Sequence, residues 1–515
     1  MRVTQLLNRA VACQPTGVAT IFQNRQQTWT QFSERVSRFA GALTTLNIEE
    51  GACVGVLAMN SDRYAELFYS VPWAGGVLAP LNMRWSVTEN EYALTDSSAR
   101  ILIVDDHYVD QAYKLKERLG QIEHLIFIGD APTPSGMLNY EELIGSSEPT
   151  PDTERKNEDL YVIFYTGGTT AHPKGVAMSH RAIVFGAVSY LSMLPTIEGI
   201  RHLYVPGFFH FASGSPLWYV TLAGGTHVIQ PKFDPLNAMQ AIQEHNITNT
   251  VFVPTMVNML INHDDFEQYD LSSLKTCVYG GSPMPEALIQ VAIDKLPSWN
   301  FFQIYGMTET GGFASMLRWA EHLHTDGRAR RLKSAGQPAP GVEIRTVREN
   351  GGPASPGELG EITVRSDILM TRYLNNETET HSALRDGWMH TGDAGYFDKD
   401  GFLYVADRVK DMIITGGENV YSIEVERILF KHPDILEAAV IGIPCAEWGE
   451  RVHAVVVPRK GRTPSKEEIL TFCREYIAGY KVPKSLEFRD APLPITPVGK
   501  VRKNVLRNPY WLDND

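Results

Sequence analysis

At 515 residues, with 43% hydrophobic and 21% charged side chains, the chain is too long for one hydrophobic core and has the balance of a folded, multidomain protein. Its 60 acidic and 47 basic residues leave a net charge of −13. That field repels nucleic-acid backbones and anionic lipid surfaces, so an anionic ligand would have to be met locally by a few cations and backbone N–H donors. The five cysteines form no CxxC pair, the apolar run at the start is short, and no stretch reaches about 18 apolar residues. These features argue against a disulfide framework, a zinc site, a signal peptide and a membrane span, and point to the cytoplasm.

Along the chain, Phe32, Val36, Phe39, Leu43 and Leu46 recur at spacings of four and three, which predicts one buried helix face. ACVGVLA at 52–58 reads as a strand, Asn60 or Ser61 can cap a helix running to Trp73, and GVLAPL and ILIVDD read as further strands. The same alternation recurs at LYVIFY (160–165), HLYVP (202–206), THVIQ (226–230), NTVFV (249–253) and KTCVY (275–279). The expected class is α/β with parallel-rich sheets. From about residue 334 shorter strands separated by turn pairs predict a small β-rich subdomain, and after Arg408 a fresh α+β pattern begins. The expected division is a large N-terminal domain, 1–409, and a small mobile C-terminal domain, 410–515.

YTGGTTAHPKG at 165–175 lies between the strand LYVIFY and a run, GVAMSH, that continues into a helix with Ser179 as its cap. A loop of this kind turns successive N–H groups into one concavity, and Lys174 adds a full positive charge, which suits phosphate. The lysine stands between Pro173 and Gly175, so this is not the GxxxxGK[ST] loop, and no GxGxxG occurs. The loop closely resembles the phosphate loop of the AMP-forming adenylating family, which includes acyl-CoA synthetases, firefly-type luciferases and peptide-synthetase adenylation domains. Gly167 replaces that family's serine and Ala171 its glycine.

The resemblance continues in order along nearly the whole chain. It assigns Thr166, Gly167, Gly168, Thr169, Thr170 and Lys174 to ATP phosphates, and Gly280, Gly281 and Ser282 of GGSPMP to the adenine. In YGMTE (305–309) it implies that the Tyr305 ring lies against adenine with Gly306 also in the nucleotide site, that Thr308 contacts the α-phosphate and that Glu309 helps hold Mg²⁺. Asp393 of DGWMHTGD would accept both ribose hydroxyls, with Arg408 reaching the ribose and Lys410 at the hinge. Gly416, Gly417 and Glu418 would line the thiol path, and Lys500 of PITPVGKVRK would complete the adenylation site.

VPGFFHFASG (205–214) resembles the acyl-pocket segment, with His210 near the carboxylate and Phe208, Phe209 and Met307 around the acyl group. It holds no acid to pair an ammonium, and no arginine adjoins Tyr305 to meet a second carboxylate. The resemblance therefore implies an acid–CoA ligase that activates an apolar monocarboxylate, fatty or aromatic, with ATP, Mg²⁺ and CoA. Its alternatives are an adenylation enzyme loading a carrier protein, a luciferase-like mono-oxygenase, and a non-enzymatic nucleotide binder. The expected partners are small molecules, without nucleic acid or an integral membrane segment, and a homodimer is left open.

Overall fold

The computed structural model describes residues 1–166, 173–195, 198–282, 284–323, 328–348, 350–408, 411–415, 418–445, 448–495 and 501–512; for 328–330, 407, 408, 414, 418, 419 and 512 it describes the backbone alone. The α/β expectation holds. Two large mixed sheets carry the N-terminal part. One has eight strands in the order Arg372–Tyr373, Lys174–Ser179, Leu160–Thr166, Val77–Pro80, Cys53–Leu57, Ile101–Val104, His124–Phe127 and Leu138–Asn139. The other has nine, running from Gln337–Pro338 through Ser315–Leu317, Asn300–Tyr305, Thr276–Tyr279, Asn249–Phe252, Arg201–Tyr204 and Thr226–Ile229 to Val18–Phe22 and Arg25–Thr28. Val18–Phe22 pairs in parallel with Thr226–Ile229, so this sheet closes only through a contact across some two hundred residues of chain.

Helices Trp29–Thr45, Asp62–Trp73, His180–Met193 and Phe211–Ala223 contribute to one core cluster in which Phe39, Phe68, Tyr161 and Trp218 are buried. Each such side chain adds about 1.5–3 kcal/mol by leaving water. The predicted face of the first of these helices is confirmed: Phe32, Val36, Phe39 and Leu43 are buried, and Thr28 and Gln31 form its capping box. Between the two candidate caps of the next helix, Ser61 takes the role, its hydroxyl accepting from the Tyr64 N–H at 3.1 Å. Asn60 does a different job. Its amide donates to the Pro206 carbonyl at 2.8 Å and its oxygen accepts from the Phe208 N–H at 2.8 Å, which ties down the chain just before His210.

The turn-rich region forms a five-stranded antiparallel sheet of Val342–Val347, Gly360–Ser366, Trp388–Phe397, Leu384–Arg385 and Leu403–Arg408. A separate five-stranded sheet, centred on Gly449–Pro458, carries helices Ser422–Leu429 and Lys466–Tyr476 over a core of Val425, Val440, Ala454 and Ile469, and helix Lys503–Leu512 over a second cluster of Ala439, Ile441, Val455 and Leu506. No helix among the described residues is long and apolar enough to cross a membrane.

Candidate active site

The strand Leu160–Thr166 leads into the glycine-threonine loop, and the chain returns antiparallel as Lys174–Ser179, with Thr166 opposite Lys174. The sequence reads the returning segment as the approach to a helix. It is a strand, because Val176, Ala177 and Met178 bury their side chains on a sheet they extend. Ser179 then caps the helix His180–Met193 as expected, its hydroxyl accepting from the Ala182 N–H at 3.2 Å. The loop residues Gly167, Gly168, Thr169, Thr170 and Ala171 lie outside the described residues, as do Lys410, Gly416, Gly417 and Lys500.

At the mouth of the hairpin the Lys174 ammonium lies 2.6 Å from Glu379 Oε2 and 5.0 Å from the centre of the Tyr373 ring, a cation–π distance. The Tyr373 hydroxyl in turn donates to Glu309 Oε1 at 2.8 Å. Glu309 is only 5% exposed, on the short turn Thr308–Thr310. One side chain therefore touches both the proposed phosphate cation and the proposed metal carboxylate. Behind Lys174, Tyr165 donates to Asp96 Oδ2 at 2.9 Å; burial, reinforced by the Asp96 charge, raises its pKa far above the ordinary phenol value and keeps the proton on it.

Tyr305 ends the strand Asn300–Tyr305 and donates to Asp393 Oδ2 at 2.8 Å. Asp393 stands opposite Arg408 in the next ladder. The turn before it is held by Glu361, which pairs with His390 Nδ1 at 2.7 Å and accepts from the Gly392 N–H at 3.1 Å. Gly306 is required by close approach, since a Cβ there would fall 2.5 Å from the Phe313 Cα. Gly281, with φ +79°, makes the turn after the strand Thr276–Tyr279. Tyr305 is thus linked to Asp393, which lies mid-strand opposite Arg408, and the Gly280–Ser282 turn follows the strand beside that of Tyr305, while Lys174, Tyr373 and Glu309 form a second linked group.

A second cleft is apolar. Ala182, Ile183, Gly186, Ala187 and Tyr190 supply one wall from the helix that follows the hairpin; Phe211, Trp218 and Tyr219 supply another, and Gly311 and Phe313 close it just past Glu309. Tyr190 stacks on Tyr219 at 4.5 Å, and Phe313 meets Tyr190 edge-on at 5.4 Å. Phe208 packs instead among Tyr64, Phe68 and Tyr204 in the core, and Phe209 lies against the His210 ring at 4.0 Å. His210 stands at the start of the helix that carries Phe211 and Trp218, and Met307 supplies the carbonyl that accepts from the Gly312 N–H at 2.9 Å. Reading residue by residue missed most of this lining. The signal available was Gly186 and Ala187 one helical turn beyond Ile183, small residues where a wall must leave room.

A family model for the AMP-binding enzyme matches residues 7–374, and one for the AMP-binding enzyme C-terminal domain matches residues 424–500. The chain belongs to the AMP-binding enzyme family. Among curated members of that family it is similar to a feruloyl-CoA synthase of Amycolatopsis sp, 36% identical over 485 residues that cover 94% of each chain. It is also similar to an indoleacetate–CoA ligase of Aromatoleum aromaticum, 35% identical over 512 residues that cover 98% of each. Among solved structures, the anthranilate CoA ligase in complex with anthranoyl-AMP superposes with a TM-score of 0.91 at 27% identity, covering 100% of this chain and 98% of that one.

Proposed function

We propose that the protein is an AMP-forming acid–CoA ligase that activates an apolar monocarboxylate, fatty or aromatic, as acyl-AMP and then passes the acyl group to CoA. One observation carries this reading: a polar cleft containing Lys174, at the start of the strand Lys174–Ser179, and an apolar crevice beginning at Ala182, on the helix His180–Met193 that directly follows, draw on one continuous stretch of chain. A carboxylate whose apolar body lies in the second would present its oxygens toward phosphates held in the first.

The chemistry then follows from the charges. A carboxylate oxygen attacks the α-phosphorus, the bond to the β-phosphate oxygen breaks, and pyrophosphate leaves with the electron pair. Two anions must meet, so cations are needed where charge builds. Lys174 would sit on the departing phosphates and Lys500 between carboxylate and α-phosphate, while Thr166 and Thr308 offer hydroxyls. Tyr305 would cover the adenine beside Gly280–Ser282, and Asp393 and Arg408 would take the ribose. Glu309 fits one ligand of a Mg²⁺ ion: it is a buried carboxylate with a hydroxyl already ordering one oxygen. The other ligands of such an ion would come from phosphates and water. Bound there, Mg²⁺ would supply neutralising charge to the triphosphate.

CoA attack on the acyl-adenylate needs Lys500 out of the way. We read the division near 409/410, with Lys410 as hinge and Gly416, Gly417 and Glu418 on the thiol path, as the means of exchanging one half-reaction for the other. The reading extends to the cytoplasm, in keeping with five free cysteines. Light scattering would separate a monomer of 57.5 kDa from a homodimer.

The test is a panel of fatty and aromatic acids with ATP, Mg²⁺ and CoA, read by AMP release and acyl-CoA mass. Lys500→Ala should lower the adenylation rate by about 10²- to 10³-fold. A folded protein that forms AMP with no acid would sink the proposal.

A further inference from the structure

Lys174 has a partner that the reaction outlined above does not use. The carboxylate of Glu379, on the helix Glu377–Ala383, meets the ammonium at 2.6 Å. Both ends of this pair are fixed by backbone. Tyr373 pairs opposite Val176, the Leu374 N–H donates to the Gly175 carbonyl at 2.7 Å, and the Tyr373 N–H donates to Thr380 Oγ1 at 3.0 Å. Asn376 caps the helix by accepting from the Glu379 N–H itself at 3.1 Å. The carboxylate is therefore held over the returning strand of the hairpin rather than swinging from a remote surface.

The pair lines a cleft of about 230 Å³, which Tyr92, Asp96 and Asn375 also line. Asp96 brings a second negative charge to that cleft, so in this arrangement the phosphate cation is already matched and a further carboxylate stands near it. Anions entering here meet less attraction than Lys174 alone would provide. An ammonium has three N–H donors, so a phosphate oxygen can bind while Glu379 remains, but the carboxylate and the phosphate then repel each other across the same cation. Side-chain exposures of 20% for Lys174 and 42% for Glu379 mean that solvent screens their attraction, which keeps the barrier to exchange modest.

We propose that Glu379 is a positioning counter-ion for the phosphate lysine: it holds and neutralises Lys174 in the nucleotide-free protein, and MgATP must compete with it. Glu379 then weakens nucleotide binding and helps pyrophosphate leave. The inference rests on the reading of Lys174 as the lysine that binds phosphate.

Direct titration with MgATP, without any acid, tests it. Glu379→Gln should tighten the MgATP Kd about 3- to 10-fold, the scale expected for removing one partly screened charge. The ATP KM should fall in parallel, and pyrophosphate should inhibit at correspondingly lower concentration. Glu379→Asp, which keeps the charge, should stay close to wild type. In a Lys174→Ala background the same Gln substitution should produce no tightening. Unchanged or weaker MgATP binding by a Glu379→Gln protein that melts like wild type would overturn the inference, and so would tightening that survives loss of Lys174. If Glu379→Gln melts early, Glu379→Ser replaces it with the same expectations. A wild-type protein that binds no MgATP at all would remove both this inference and the proposed function; binding without the Gln effect removes only this one.

Discussion

The polar cleft beside Lys174 and the apolar cleft beside Ala182 share the stretch 173–190, yet each is walled by a different kind of side chain. The first is bounded by Lys174, Glu379, Asp96 and Tyr373, whose charges and hydroxyls face one another. The second is bounded by Phe211, Trp218, Phe313 and Tyr190, whose rings meet edge-on or tilted. The difference teaches how one stretch of chain can sort groups by polarity: a charged or hydrogen-bonding group finds partners at the first wall and loses them at the second, and an apolar group does the reverse.

This contrast can be broken from either side. Lys174→Ala should weaken MgATP binding by about 10²-fold, the loss expected for a preorganised cation, while leaving the fluorescence of the apolar-cleft tryptophan Trp218 unchanged. Gly186→Leu works from the other wall. A Cβ at Gly186 meets only Ile368 Cγ2, at 3.8 Å, so the backbone accepts it and the added side chain fills the cleft. The expected result is an acid KM raised by about 10- to 100-fold with the MgATP Kd unchanged, in line with overpacking costs of about 1–3 kcal/mol. A shift in MgATP binding instead would show that the two clefts are not separate. Tyr305→Phe removes the hydroxyl on Asp393; a hydrogen bond to a charged group is worth about 1.5–3 kcal/mol, so nucleotide affinity should drop roughly tenfold or more.

The smallest expected effect is on stability and falls on both large and small cores. Burial pushes His180, His322 and His453 down to about 4 from an ordinary value of 6.5, and His180 Nδ1 accepts from the Val3 N–H, a bond open only to the neutral ring. The unfolded chain protonates these rings near 6.5 while the folded chain keeps them neutral to about 4. Stability is therefore full above 6.5, declines as pH falls through that window, and loses nothing more from these groups below it. Melting curves at pH 7 and pH 5 should differ by a few degrees, the lower value at pH 5.

Much of this molecule is legible in its sequence. Apolar periodicity located the helix at Trp29–Thr45 and the strands Ile101–Val104 and Thr276–Tyr279 because each presents one or both faces to a core, and burial imposes the period. Tyr305, Asp393 and Lys174 stand out in the sequence because their chemistry travels with an ordered set of neighbours. The strand Lys174–Ser179 was not, since a short apolar run fits a strand or the start of a helix until a sheet edge decides. Glu379 and Tyr373 were missed because a lone acid and a lone tyrosine in a polar stretch carry no pattern; what marks them is pairing across some two hundred residues. Ala187 and Gly311 line a cleft by what they lack, and a missing side chain leaves no periodicity to read.

The parallel pairing of Val18–Phe22 with Thr226–Ile229 has a consequence for how the chain is made. A strand synthesised near the start must wait until residue 229 has emerged before its partner exists, and the loop closed by that contact is long enough to make it a late, slow event. Until then the strand offers unpaired backbone on that flank, so nascent chains stopped before residue 226 should collect in aggregates while those carried past 230 should not.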